Sequence, residues 1–260
     1  MDSKLLISQE GFIKTITFNQ PKRRNAITNE MASQFRDEIL NTQEDDSRVI
    51  IIKGAEGNFC AGADLDPSLL EGGGGFDVTA FLRATYNPLI IAMREMNKIF
   101  IAQVEGTCVG VGFNFALACD LIYSSENAKF SQIFTRIGLS SDGGGAYFLP
   151  HKVGYHKAFE LMATNRIIDS QEALALGLVN GVVPDEEIGS HTTNMANRLA
   201  SGPFLALQHT KANLRVGSTQ GLAEALEAEA VHQGVNFVSE DFFEGVMAFI
   251  QKRKANFKGK

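Results

Sequence analysis

The chain has 260 residues, 44% of them hydrophobic and 21% charged, which is ordinary globular composition with material for one large core or two smaller ones. Its net charge of −6 and pI of about 5.4 argue against nucleic acid as the main partner, because binding phosphate backbones requires a basic face. No window approaches the ~20 apolar residues of a membrane helix. The start, from Met1 to Gln9, carries acidic and polar residues among its apolar ones and lacks the basic start and apolar stretch of a signal peptide. A cytoplasmic protein without a membrane partner is therefore expected, and a mature matrix protein fits equally well.

Leu5 to Ser8 and Phe12 to Asn19 read as two strands around a Glu10-Gly11 turn, and Pro21 ends the second. Thr28 suits the N-cap of a helix in which Met31, Phe35 and Ile39 recur every four residues. Val49 to Ile52 is a continuous apolar run, the pattern of a strand covered on both faces. Four consecutive glycines, Gly72 to Gly75, predict a mobile loop, since glycine loses the most backbone freedom on ordering. A long helix is expected from Val78 to Met96, then a strand from Ile99 to Val104. A glycine-punctuated turn, Gly106 to Gly112, leads into a helix over Phe113 to Ala118 and a short strand over Leu121 to Tyr123. This alternation to about residue 150 predicts an α/β layered core. Helical patterns dominate the rest. Asp169 and Glu172 form a capping-box pattern before Ala173 to Leu176, and Gly177 closes that helix. Further helices are expected over 186–200, 204–216, 220–237 and 240–254. The expected division is an α/β core over 1–200 and a helical region over 201–260.

Cys60, Cys108 and Cys119 match no Cys-x-x-Cys spacing and read as small buried apolar residues. The five histidines show no metal-ligand spacing, so no metal is expected. Three stretches carry candidate chemistry. In Asn58-Phe59-Cys60-Ala61-Gly62-Ala63-Asp64-Leu65, small residues let a ligand approach the backbone. Val104 to Gly112 runs through Gly106 and Gly110 into a helix, whose N-terminus offers unpaired N–H donors suited to an anion. Ile137 to Gly145 sets one carboxylate, Asp142, in a glycine-lined bend.

These stretches, with Pro21 to Ile27, Gly106 to Asp120, Phe130 to Gly145, Leu176 to Val179 and the ending Lys252 to Lys258, occur in the order and spacing of the crotonase (enoyl-CoA hydratase/isomerase) family, which the chain resembles along essentially its whole length. The pattern is nearest to phenylacetate-pathway ring-type and Δ3,Δ2-enoyl-CoA isomerases. The resemblance implies a spiral of repeated strand–strand–helix units with a helical C-terminal trimerisation region, as a trimer or a dimer of trimers. It implies an acyl-CoA thioester as substrate, with coenzyme A part of that substrate and no separate cofactor. It also implies an oxyanion hole made by the backbone N–H groups of Ala63 and Val111. The family usually has glycine at the second of these positions, and the Val111 side chain is expected to narrow the pocket.

The two positions matching the glutamates of a hydratase hold Asn114 and Phe134, neither of which exchanges protons near neutral pH. Asp142 falls where isomerases of the family carry their acid/base, so isomerisation with one carboxylate is favoured, with Phe134 supplying part of an apolar wall. Carried over by position, Arg23, Arg24, Ala61, Asp64, Leu65 and Gly110 border the coenzyme A thioester, and Phe257 and Lys258 reach a neighbouring subunit's ligand. Phe81, Leu82 and Tyr86 are candidates for the acyl pocket. Rival readings are an atypical hydratase, in which Asp142 and Asn114 position water, and a non-catalytic acyl-CoA-binding trimer. The family's dehalogenase branch uses an aspartate at the Asp142 position as a nucleophile, paired with a histidine base and a nearby tryptophan; that reading is disfavoured because the chain has no Trp and no His within Val78 to Met96. RNA binding is disfavoured by the net charge.

Overall fold

A computed structural model of the chain describes residues 3–65 and 75–260. Most of the predicted glycine loop, Gly72 to Gly74, lies outside the described residues. The strands are β1 (Leu5–Glu10), β2 (Ile13–Phe18), β3 (Val49–Gly54), β4 (Ile99–Val104), β5 (Thr107–Val109), β6 (Leu121–Ser125), β7 (Lys129–Ser131), β8 (Ile168–Asp169) and β9 (Gly181–Val183). The expected hairpin joins β1 and β2 antiparallel through Gly11, whose φ of +55° lies in the left-handed region. From β2 onward the main sheet is parallel, in the order β1-β2-β3-β4-β6-β9.

β3 shows why its apolar run is unbroken. Val49 and Ile51 face one cluster, with Ala196, Ala200 and Phe204, while Ile50 and Ile52 face the other, with Phe35 and Phe100. Both faces are covered, as parallel strands require.

A second, short sheet orders β5-β7-β8, and Cys60 extends it through a parallel bridge to Cys108. The chain therefore repeats one path: a main-sheet strand, a short second-layer strand, then a helix. The path runs from β4 through β5 to a helix over Val111–Ala118, and from β6 through β7 to one over Gly145–Val153. This is the strand–strand–helix unit that the resemblance implied.

In chain order the helices are α1 (Asn29–Asn41), α2 (Val78–Ala84), α3 (Tyr86–Glu95), α4 (Val111–Ala118), α5 (Gly145–Val153), α6 (Tyr155–Thr164), α7 (Ser170–Ala175), α8 (Ile188–Ala200), α9 (Phe204–Thr219), α10 (Leu222–Phe237) and α11 (Glu240–Gln251). Thr28 caps α1 by accepting from the Met31 N–H at 3.2 Å, and Met31, Phe35 and Ile39 are fully buried.

Two expectations need correction. The single helix over Val78 to Met96 is two helices, broken at Thr85 (φ −121°, ψ −75°). Pro88 is the cause: it has no N–H for the Ala84 carbonyl four residues back, and its ring crowds that carbonyl. The orphaned carbonyl accepts instead from Arg36 Nη1 at 2.8 Å. The capping box at α7 is only half formed. Asp169 accepts from the Glu172 N–H at 2.8 Å, but the Glu172 carboxylate turns away to a two-pronged pair with Arg166, at 2.7 and 2.9 Å.

Candidate functional site

The site lies past the C-terminal ends of the parallel strands, where the loop after β3 meets the turn after β5. Gly62 (φ +89°) and Gly110 (φ +57°) lie against each other, such that a Cβ built on Gly110 would stand 3.6 Å from the Gly62 Cα. Cys60 pairs beside β5, donating to the Thr107 carbonyl at 2.8 Å and accepting from the Val109 N–H at 3.0 Å. On the other side, the Ile27 N–H donates to Gly62 and the Asp64 N–H donates to Ile27, both at 2.8 Å, bracketing Ala63. The Ala63 N–H is therefore not used by that bridge. Val111 opens α4, where the first-turn N–H groups have no helical acceptor. Among the described residues, neither the Ala63 nor the Val111 N–H has a backbone acceptor.

Gly112 lets α4 come this close. A Cβ there would meet the Cys60 Cβ at 2.5 Å. The Val111 side chain is buried, and it packs beneath Gly143: a Cβ on Gly143 would stand 3.0 Å from Val111 Cγ2. Valine at this position thus supports the bend that carries Asp142.

Asp142 is the carboxylate of this bend. Its Oδ1 is buried and, among the described residues, has no hydrogen-bond partner. Burial raises its pKa from the ordinary carboxylate value to about 6, partly offset by its own backbone N–H. Tyr86, at the first turn of α3, is buried and stands edge-on to Phe115 and Phe81, each with ring centroids 5.4 Å apart. Burial and then the Asp142 charge push the Tyr86 phenol up, so it stays neutral across the physiological range. Phe134 is buried, with its ring tip 4.0 Å from a Cβ built on Gly110, which makes it an apolar wall beside the second donor. Phe81 and Leu82 are half-buried against the core.

Asn114, fully buried on α4, does not face open space with a spare amide. Its Nδ2 donates to the Asp142 carbonyl at 2.7 Å and to Ser141 Oγ at 3.1 Å, and its Oδ1 accepts from Gln132 Nε2 at 2.7 Å. Sequence reasoning passed over Gln132 and Ser141. The available signal was the polar pair Ser131-Gln132 set between the apolar Phe130 and Ile133-Phe134.

The remaining predicted residues divide. Arg23 pairs with Asp64 at 2.6 Å, and Gln20 Nε2 also donates to Asp64 at 3.1 Å, which ties the 20–24 turn to the 61–65 loop. The Arg24 carbonyl accepts from the Ala61 N–H at 3.0 Å, while its side chain is exposed and, among the described residues, has no acidic partner within 4 Å. Leu65 is exposed beside them. Phe257 and Lys258 are not brought to Asp142 within the chain. The Lys258 carbonyl accepts from Arg48, just before β3, and its N–H donates to Asp241 at 2.6 Å, which places the tail at the opposite end of the sheet. The three cysteines are buried and free, and burial pushes the Cys60 thiol up to about 12, so it is no nucleophile at neutral pH. Among the described residues, no cluster of metal-ligating side chains forms and no helix is long and apolar enough to cross a membrane.

A family model described as Enoyl-CoA hydratase/isomerase matches residues 8–260. A Rhodobacter capsulatus protein named "Probable enoyl-CoA hydratase" is 34% identical over 95% of both chains. The 1,2-epoxyphenylacetyl-CoA isomerase of Escherichia coli is 31% identical over 98% of both. The crystal structure of an enoyl-CoA hydratase from a Polaromonas species superposes with a TM-score of 0.91 at 30% identity, covering 98% of this chain and 99% of that one.

Proposed function

The chain belongs to the enoyl-CoA hydratase/isomerase family, and from that premise we propose that it moves a double bond within an acyl-CoA thioester, converting a 3-enoyl to a 2-enoyl group or its ring-acyl equivalent. The observation that carries this reading is Asp142: one carboxylate whose buried Oδ1 has no partner among the described residues and whose pKa is raised to about 6, where the chain offers Asn114 and Phe134 in place of a second acid. Asp142 removes a C2 proton. The electron pair moves onto the thioester oxygen, which the Ala63 and Val111 N–H groups stabilise as an oxyanion hole, a device worth about 3 kcal/mol per donor. The same acid then returns the proton to C4, so one group shuttles one proton and no water is consumed. A pKa near 6 leaves Asp142 largely ionised at neutral pH, yet makes its conjugate acid able to give the proton back.

Coenzyme A belongs to the substrate in this reading, and no separate cofactor takes part. Arg24, Arg23, Ala61, Asp64, Leu65 and Gly110 border it, with Arg24 the cation best placed to meet phosphate. Trimeric association fits the many apolar side chains exposed on α10 and α11, among them Leu222, Val235, Phe237, Phe249 and Ile250. In such an assembly Phe257 and Lys258 would serve a neighbouring subunit's ligand.

Hydration is the second reading, favoured because most of the named relatives are hydratases. It requires a held water, and both Asn114 amide hydrogens are already donated inside the protein. The deciding assay offers a 3-enoyl-CoA and a 2-enoyl-CoA to the wild type and to Asp142→Asn. Isomerisation without gain of water, lost in the variant, supports the proposal. Water addition to the 2-enoyl thioester at a comparable rate overturns it in favour of hydration. Tight thioester binding without turnover makes the protein a carrier.

A further inference from the structure

We infer that Asn114, Gln132 and Ser141 form a latch that positions the catalytic carboxylate by holding the backbone at Asp142 while adding no side-chain donor to the carboxylate. The inference rests on the acid/base reading of Asp142 and assigns the residues that make that reading work.

The ring is nearly closed. Gln132 Nε2 donates to Asn114 Oδ1 at 2.7 Å, Asn114 Nδ2 donates to Ser141 Oγ at 3.1 Å, and Ser141 Oγ returns to Gln132 Oε1 at 3.4 Å. The Gln132 bond fixes which way the Asn114 amide points, so its second Nδ2 hydrogen is aimed at the Asp142 carbonyl, 2.7 Å away. Asn114 and Gln132 are 0% and 1% exposed, so water does not compete for these bonds. The bend is also tight around the ring. A Cβ on Gly145 would stand 2.2 Å from Ser141 Oγ and 2.6 Å from the Asn114 amide, and one on Gly143 would stand 3.0 Å from Val111 Cγ2.

The choice of backbone over side chain has a chemical consequence. A donor to the carboxylate would stabilise its charged form and lower its basicity. A donor to the carbonyl of the same residue restrains position at no such cost. The Asp142 Oδ1 is accordingly buried without a partner among the described residues. Tyr86, from α3, is the titratable side chain on which the Asp142 charge acts, and burial keeps it neutral.

The test compares Asn114→Leu, the double variant Asn114→Leu/Gln132→Leu, and Asp142→Asn. Each is assayed for 3-enoyl-CoA isomerisation, for C2 deuterium uptake in heavy water, and for melting temperature. The single variant leaves Gln132 buried and unpaired and loses stability. The double variant removes both partners, which restores most of it. If the latch positions Asp142, the double variant recovers its melting temperature while kcat stays about 10- to 100-fold down, the scale of a small misplacement of a reacting group. Its KM holds within about two-fold of wild type, and its acid limb falls from near 6 toward the ordinary carboxylate value as the bend opens to water. Recovery of kcat along with stability, with the acid limb unmoved, overturns the latch and leaves a merely structural ring. An active Asp142→Asn overturns the functional reading and the latch with it, whereas an inactive Asp142→Asn beside a fully active double variant overturns the latch alone.

Discussion

Two aspartates at opposite ends of the same sheet are treated in opposite ways. Asp45 lies at the N-terminal end, just before β3, between Lys14 on β2 and Lys98 ahead of β4. Lys14 approaches its Oδ2 at 2.5 Å, Lys98 its Oδ1 at 3.1 Å, and the Ser47 hydroxyl and N–H also donate to Oδ1. Burial alone would raise the Asp45 pKa, but the bonds from Lys14, Ser47 and Lys98 outweigh it and hold the carboxyl well below the usual range. Asp142, at the C-terminal end, is half-buried with only its own backbone N–H in partial compensation, and its pKa rises to about 6. Burial acts in the same direction on both. The difference is whether the protein supplies side-chain donors, and where it withholds them the carboxylate keeps the raised pKa that suits the acid/base role proposed for it. The arginines repeat the contrast: Arg23 is held by Asp64, and Arg24, next to it, has no acidic partner among the described residues.

The largest expected effect tests the unpaired member. Asp142→Asn should lower the isomerisation kcat by about 100- to 10,000-fold, the range for removal of a general acid/base. A loss under ten-fold would break the comparison, since Asp142 would then be only another turn residue. Next is the clamped member. Asp45→Asn leaves Lys98 and part of Lys14 buried without their carboxylate and should cost about 3 kcal/mol in denaturant unfolding. Because the folded pKa of Asp45 lies below its unfolded value, the stability it contributes is present above about pH 4 and fades as pH falls below that.

The sign reverses for Asp142. Its folded pKa is raised, so its contribution is intact below about pH 4 and is lost as pH climbs through about 6. Asp142→Asn should therefore be more stable than wild type by about 2 kcal/mol at pH 8, with the gain gone at pH 4. One inactive variant that melts higher at alkaline pH would join the catalytic and stability arguments. The smallest effect concerns the arginines. Arg24→Ala should raise KM for a CoA thioester by a few-fold with kcat unchanged, an effect that shrinks in high salt. Arg23→Ala should instead loosen the 61–65 loop and lower melting temperature. Equal behaviour of the two would remove the distinction between held and available charge.

Legibility differed by the range of the interaction. Thr28 as a cap, Val49 to Ile52 as a doubly covered strand and Gly11 as a turn were readable because the cause lies within a few residues. The break at Thr85 was readable too, through Pro88, but the helical pattern over Val78 to Met96 outweighed it. The half-formed capping box was not readable in the same way, because Arg166 competes for Glu172 and no local pattern ranks the two partners.

The sequence by itself determined the layered α/β core and the family, and it nominated Ala63 and Val111 as candidate donors and Asp142 as the candidate acid beside Asn114 and Phe134. Each follows from residue identity in order along the chain. Only the tertiary structure decided that the Asp142 Oδ1 has no partner among the described residues, that Asn114 spends its amide on the Asp142 carbonyl, and that Gln132 and Ser141 adjoin Asp142. Protonation and positioning depend on burial and on partners 18 to 28 residues apart in the chain, and these distances exist only once the elements have packed.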